Sequence, residues 1–181
     1  MKGKLKKTVV LVGMMGAGKT AVGNALARLL EVPFLDSDDE IERAANMTVA
    51  EIFARDGEPF FRARESEVLS RLLAGSPCIL STGGGAFLAP DNRVVIEEKG
   101  VAVWLKADLD LLWQRVRHKT TRPLLRTADP KATLAGLFDA RQPVYALAGI
   151  TVESKPDYSI EDMARKVMAA LSGRHDVMEM E

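Results

Sequence analysis

A short stretch near the N-terminus has the residue types and spacing that hold a phosphate chain. Residues 13–20 read GMMGAGKT and match the pattern GxxxxGK[ST], after the apolar run TVVLV and before an amphipathic helical pattern. Glycines let backbone N–H groups turn towards phosphate oxygens, and the N-terminus of the next helix adds a favourable dipole. In such a loop Lys19 reaches the β- and γ-phosphates and the Thr20 hydroxyl ligates Mg²⁺. The alternative is a glycine-rich turn that carries a chance Lys-Thr pair.

Acids and glycines follow two further apolar runs. Asp36 and Asp38 lie in FLDSDDEIE, and Gly83, Gly84 and Gly85 lie in LSTGGGAF. Open α/β sheets bind ligands at the carboxyl ends of their strands, so we expect these residues beside the phosphate loop. One carboxylate would lie near Mg²⁺ and its water, and the other would accept hydrogen bonds from substrate hydroxyls. The alternatives are a helix N-terminus enriched in acids and an ordinary tight turn.

Three arginines are candidates for binding anions. Arg62 and Glu65 are three residues apart in FFRARE, so on a helix the acid would hold the guanidinium, unless the two form a solvated surface pair. Arg141 lies in ARQPVY. Two arginines aimed at one pocket favour an anionic acceptor, and paired carboxylates favour hydroxyls. Arg122 lies in an aperiodic segment, about 118–130, that predicts a flap able to neutralise a transferring phosphoryl group, although an ordinary surface loop is the alternative.

The pattern of apolar runs predicts the fold that would position these residues. Runs beginning at Thr8, Pro33, Cys78, Val101 and Ile150 alternate with helical patterns, which indicates an α/β fold with a parallel sheet covered on both faces. Pro143 is expected to break or kink a helix that begins near Lys131. We expect one domain over residues 1–173 and a disordered polar tail at 174–181.

Composition excludes some functions and favours others. The 181 residues include 25 Lys and Arg and 25 Asp and Glu, so no global field attracts nucleic acid or anionic lipid. No later segment is long and apolar enough to span a membrane, and the basic N-terminus lacks a small-residue cleavage site. We therefore expect a soluble, cytoplasmic protein without a nucleic-acid or membrane partner.

The ordered set of motifs resembles the shikimate kinase family. GMMGAGKT, FLDSDDEIE, FFRARE, LSTGGGA, TRPLL and ARQPVY occur in the family's order from about Val9 to the last predicted helix. The resemblance implies a three-layer P-loop fold with a five-stranded parallel sheet in the order 2-3-1-4-5 and a lid. It also implies transfer of the γ-phosphoryl group of ATP, with Mg²⁺, to the 3-hydroxyl of shikimate. We expect a monomer.

The resemblance assigns a role to each candidate residue. The acceptor site would contain Asp38 on the ring hydroxyls, Arg62 and Arg141 on the carboxylate, and Gly83, Gly84 and Gly85 along the pocket. Glu65 would orient Arg62, and Asp36 would lie near the metal, held also by Thr20, and near the reacting hydroxyl. The nucleotide site would comprise Gly13, Met15, Gly16, Ala17, Gly18, Lys19, Thr20 and Ala21, with Arg122 on the phosphates, Arg115 on adenine and Pro156 in the adenine loop.

Two other classes of protein share the phosphate loop. One is another small-molecule or nucleotide kinase, such as a gluconate or nucleoside monophosphate kinase, whose acceptor would need different contacts. The other is a regulatory or motor NTPase, which usually carries an Mg²⁺-binding acid after the third strand. Here that strand ends in Ser81 and Thr82.

Overall fold

A five-stranded parallel sheet forms the centre of the molecule. The computed structural model of the chain describes residues 3–118 and 127–181. The strands of this part are β1 (Gly3–Leu5), β2 (Thr8–Val12), β3 (Phe34–Asp36), β4 (Ile79–Ser81), β5 (Gly100–Lys106), β6 (Ile150–Glu153) and β7 (Met178–Met180). The central sheet has the order β3-β4-β2-β5-β6, and all of its neighbouring strands are parallel. Counted over the five predicted strands this is 2-3-1-4-5, so the predicted fold is confirmed.

Helices cover the sheet. They are α1 (Lys19–Leu30), α2 (Ser37–Ala45), α3 (Val49–Asp56), α4 (Glu58–Leu73), α5 (Pro90–Lys99), α6 (Leu109–Val116), α7 (Pro130–Tyr145) and α8 (Ile160–Ser172), with a short 3-10 helix at Ala86–Leu88. Every residue of β2 is buried, as expected of a central strand covered on both faces. In the described part of the chain, no helix combines the length and apolarity needed to cross a membrane.

A second, smaller apolar cluster lies between α2, α3 and α4. Ile41, Ile52, Phe61 and Val68 are buried there, apart from the main core. This cluster matters for the site because α2 also carries Asp38 and α4 also carries Arg62, whose guanidinium lies 5.2 Å from the centroid of the Phe61 ring. Packing among three helices therefore sets where both side chains are presented.

The C-terminal tail was expected to be disordered, but it forms a strand. β7 pairs antiparallel with β1, with Leu5 opposite Met178, and the side chains of Val177 and Met178 are fully buried. The Lys6 N–H donates to the Val177 carbonyl at 2.7 Å. Three apolar residues, Val177, Met178 and Met180, are too short a signal to predict a strand, but they suffice once the N-terminal residues supply a partner.

Two expectations about residues 118–143 have different outcomes. Pro143 does not break α7, which continues to Tyr145. The proline lies in the last turn, where few helical hydrogen bonds follow it, and the alternative of a kink stays a prediction. The predicted lid at 118–130 falls mainly on residues 119–126. Those residues and Arg122 lie outside the described part of the chain.

Candidate active site

The phosphate loop joins β2 to α1 and turns with glycines in the left-handed region. Gly16 and Gly18 have φ angles of 85° and 90°, which side-chain-bearing residues rarely adopt. Gly18 is the N-cap of α1, no side chain caps the helix, and no acid lies in its first turn. The N-terminus of α1, with its favourable dipole, therefore faces the phosphate loop, which is the arrangement that binds phosphate oxygens.

Lys19 and Thr20 lie where the loop meets the helix. Lys19 Nζ lies 2.5 Å from the Gly13 carbonyl oxygen and 3.3 Å from that of Met14, so the ammonium group is held at the mouth of the loop. Thr20 is exposed and begins the helix beside it. A hydroxyl here and the carboxylate of Asp36 are hard oxygen donors, which suit Mg²⁺. Among residues 3–118 and 127–181 no cluster of three or more acids, histidines and cysteines could hold a metal alone. That is compatible with Mg²⁺, which takes one or two protein ligands and otherwise phosphates and water.

The nucleotide cleft beside the loop is about 490 Å³ in volume. Its lining includes residues 14–22, Arg115, Ser154, Tyr158 and Met163. Arg115, from α6, donates to the Gly16 carbonyl at 3.0 Å and to the Ser154 hydroxyl at 3.4 Å, so it joins the phosphate loop to the segment after β6. Gly13 is buried and lies outside the lining. Pro156 is exposed and lies outside the lining, where Ser154 and Tyr158 contribute instead.

Asp36 ends β3 and is also the N-cap of α2. Its Oδ1 atom accepts hydrogen bonds from the Asp38 N–H at 2.9 Å and the Asp39 N–H at 3.3 Å. Burial raises the pKa of Asp36, and the Asp39 charge adds to this, whereas the backbone bonds and the Lys19 ammonium oppose it. The alternative of an acid-rich helix N-terminus is thus partly realised. The capping role uses Oδ1 within the described residues, which leaves Oδ2 for a ligand.

Asp38 is the more strongly perturbed acid of the pair. Burial, followed by the charges of Asp36 and Glu65, raises the pKa of Asp38 to about 6, against its ordinary value of 3.8. The Lys19 ammonium lowers the pKa in return. One lysine thus acts on both carboxyls, so the phosphate loop and the acid pair share one site.

The three glycines lie against the three other predicted acceptor residues. A Cβ atom added to Gly83 would lie 3.0 Å from Asp38 Oδ1, and one added to Gly84 would lie 2.8 Å from Arg141 Nη1. One added to Gly85 would lie 2.6 Å from Arg62 Nη1. At all three positions a side chain would therefore crowd a carboxylate or a guanidinium, which would have to shift. The structure brings together Asp38, Arg62 and Arg141 around residues 83–85, here called the glycine loop.

Arg62 is held by an acid that water scarcely reaches. Arg62 Nη1 donates to Glu65 Oε1 at 2.8 Å, and the Glu65 side chain is only 2% exposed. Burial raises the pKa of Glu65, and the bond and charge of Arg62 oppose the shift. The pair is therefore not the solvated surface pair that was the alternative. It fixes a guanidinium beside the glycine loop.

Beyond the cleft residues Ser154 and Tyr158, sequence reasoning also missed a residue of the acceptor site. Tyr145 ends α7 and donates a hydrogen bond from its hydroxyl to the Gly84 carbonyl oxygen at 2.6 Å. It follows Arg141 by four residues, the spacing of neighbours on one helix face. That spacing in ARQPVY was the available signal, and the expected break at Pro143 concealed it.

The fold and the site together define an ATP-dependent P-loop kinase that acts on a small hydroxylated anion. Comparison with known proteins agrees with that class and narrows it. The family model described as shikimate kinase matches residues 15–172. The chain therefore belongs to the shikimate kinase family.

Individual relatives cover nearly the whole chain. A shikimate kinase of Cereibacter sphaeroides is 70% identical over 97% of this chain and 88% of its own length. One of Ruegeria pomeroyi is 67% identical over 97% of this chain and 90% of its own. The solved structure of shikimate kinase from Acinetobacter baumannii in complex with shikimate has a TM-score of 0.86 and 40% identity, and covers 93% of this chain and 94% of that one.

Proposed function

We propose that this chain transfers the γ-phosphoryl group of ATP to the 3-hydroxyl of shikimate, which yields shikimate 3-phosphate and ADP in aromatic amino acid biosynthesis. One observation carries the proposal. Asp38, Arg141 and Arg62 each lie against one of three consecutive glycines, beside the phosphate loop. The arginines would bind a carboxylate and Asp38 would bind ring hydroxyls, which are the groups that shikimate offers.

The glycine loop shapes this acceptor site because its residues have no side chains. Because Gly83, Gly84 and Gly85 carry no side chains, a small ring can approach the backbone while both guanidinium groups reach its carboxylate. The Arg62–Glu65 pair supplies a preoriented fork, so little entropy is lost when the carboxylate binds. The site therefore selects for a compact acid with hydroxyls on its ring.

The catalytic steps follow from the placement of Lys19 and Asp36. Phosphoryl transfer passes through a loose transition state, so the protein mainly has to align the acceptor hydroxyl and neutralise the phosphoryl oxygens. Lys19 and the N–H groups of α1 stabilise charge on the phosphates. Asp36 Oδ2 accepts the proton of the 3-hydroxyl, and burial raises the pKa of this carboxyl, which makes it a stronger base. Mg²⁺ held near Thr20 and Asp36 would neutralise β- and γ-phosphate oxygens.

Several assignments in the proposal come from the sequence. The lid and the contact of Arg122 with the transferring phosphoryl group stay predictions, since both concern residues outside the described part of the chain. Stacking of Arg115 on adenine fits its place in the nucleotide cleft. We take the chain to act as a cytoplasmic monomer. Its zero formal net charge is in keeping with the absence of a nucleic-acid or membrane partner.

The acceptor assignment is tested by replacing Arg62 with alanine. Hydrogen bonds to charged groups contribute about 1.5–3 kcal/mol, so we expect the KM for shikimate to rise by about 10- to 100-fold. The KM for ATP should change less than threefold, because the Arg62 side chain lies against the glycine loop and outside the nucleotide cleft. Steady-state kinetics with each substrate varied in turn measures the two values.

Two further variants separate a loss of substrate binding from a loss of folding. Arg62→Lys keeps a charge beside the buried Glu65 but loses the fork, so it should show a raised KM for shikimate without a loss of folding. Arg64→Ala removes an exposed arginine of the same helix that pairs with Glu67, and its kinetics should match the wild type. An equal rise of both KM values in Arg62→Lys would remove Arg62 from the acceptor site.

A further inference from the structure

Tyr145 occupies an unusual place between the core and the acceptor site. The residue is 1% exposed, and its ring packs near Trp104 with the ring centroids 6.2 Å apart. Only its hydroxyl reaches the site, where it donates to the Gly84 carbonyl oxygen at 2.6 Å. The ring is thus anchored in the core while the hydroxyl holds the middle of the glycine loop.

Arg141 lies against the same glycine as the Tyr145 hydroxyl. It lies one turn earlier in α7, and a Cβ atom added to Gly84 would lie 2.8 Å from Arg141 Nη1 and 3.7 Å from the Tyr145 hydroxyl oxygen. Burial raises the pKa of Tyr145, although the Arg141 charge opposes the shift. The Tyr145 hydroxyl and the Arg141 guanidinium therefore meet at the middle of the glycine loop.

We propose that Tyr145 is a positioning residue of the acceptor site, whose hydroxyl sets the distance between the Arg141 guanidinium and the Gly84 backbone and so fixes where the acceptor carboxylate binds. The inference rests on the proposed function, because it takes Arg141 to bind that carboxylate. It adds a residue that makes no contact with the carboxylate of its own. A purely structural role, in which the ring fills the core, is the competing explanation.

The variant Tyr145→Phe separates these explanations because it keeps the ring and removes only the hydroxyl. Loss of one partner of a buried hydrogen bond leaves the Gly84 carbonyl unpaired and Arg141 less constrained. We expect the KM for shikimate to rise about tenfold, the KM for ATP to stay within twofold, and kcat to fall less than the KM rises. A KM for shikimate within twofold of the wild type would overturn the proposal.

Thr8→Val is the matched control. Thr8 is 2% exposed, lies at the amino end of β2, and its hydroxyl accepts from the Cys78 N–H at 3.3 Å. The control thus removes a buried hydroxyl at the opposite edge of the sheet. It should lower stability while both KM values stay unchanged. If Thr8→Val raised the KM for shikimate as much as Tyr145→Phe does, the effect would be general loosening and the proposal would fail.

A double-mutant cycle with Arg141→Ala tests whether Tyr145 acts through Arg141. If it does, Tyr145→Phe should add less than twofold to the KM for shikimate in the Arg141→Ala background, against about tenfold alone. Independent, multiplying effects would contradict the proposal. Wild-type turnover with shikimate tests the proposed function. The ratio of the variant's KM for shikimate to that of the wild type tests the role of Tyr145, so a failure of one proposal can be told from a failure of the other.

Discussion

Replacing Lys19 with methionine should lower kcat by about a thousandfold or more and leave the fold intact. Removal of one neutral donor aimed at developing charge typically costs 10²- to 10³-fold in kcat, and Lys19 supplies a full positive charge. Methionine is a good helix former, so the first turn of α1 should persist. Single-turnover assays with Mg-ATP and shikimate would measure the loss, and thermal unfolding would check the fold.

The control for Lys19 is an exposed lysine at the other edge of the sheet. Lys99 lies in the last turn of α5, just before β5 begins. Lys99→Met makes the same chemical change away from the phosphate loop and should keep wild-type kinetics. A Lys19→Met enzyme with kcat within tenfold of the wild type would show that the ammonium group does not stabilise the transferring phosphoryl group.

Replacing Asp36 with asparagine should lower kcat by about 10²- to 10⁴-fold, the usual contribution of one general base. Asparagine is as good an N-cap as aspartate, so its side-chain oxygen can still accept from the Asp38 and Asp39 N–H groups. Helix α2 should therefore keep its place, and the lost activity can be attributed to the missing carboxylate. The measurement is kcat at saturating shikimate, ATP and Mg²⁺.

Asp176 supplies a control for this substitution. It accepts hydrogen bonds from Arg174 at 2.9 Å and lies outside both the nucleotide cleft and the acceptor site, so Asp176→Asn makes the same chemical change away from the reaction. We expect it to retain wild-type kcat. If Asp36→Asn also kept most of its kcat at saturating Mg²⁺, Asp36 would not be the base.

The sheet and the phosphate loop were predictable because local sequence encodes both. Runs such as TVVLV have no polar alternation, which only a strand covered on both faces tolerates, and β2 is buried throughout. The loop needs glycine where the backbone is left-handed, and Gly16 and Gly18 are both left-handed. In each case a short stretch of residues carries the whole physical requirement.

The acceptor site was predictable only as a set of candidates. The run Gly83–Gly85 indicated a close approach but did not say to what, since Asp38, Arg62 and Arg141 come from distant parts of the chain. The resemblance to a family supplied the grouping. The structure adds the side chain that each glycine approaches.

The role of Tyr145 and the strand in the tail were missed because both depend on distant partners, although the four-residue spacing from Arg141 was a signal for Tyr145. The Tyr145 hydroxyl bonds to a carbonyl 61 residues away in the chain. The β7 strand needs β1, which lies at the opposite end of the sequence. Neither partner leaves a periodic signal near the residue that needs it.

The central claim is that Asp38, Arg62, Arg141 and the glycine loop form the site of a phosphoryl acceptor, and that this acceptor is shikimate. ADP release by the purified protein with Mg-ATP tests the claim most directly, measured without acceptor and with shikimate, gluconate or a nucleoside monophosphate. We predict ADP release with shikimate alone among these, with one shikimate 3-phosphate formed per ADP. Steady ADP release without any acceptor, or release only with gluconate or the nucleotide, would contradict the acceptor site described above.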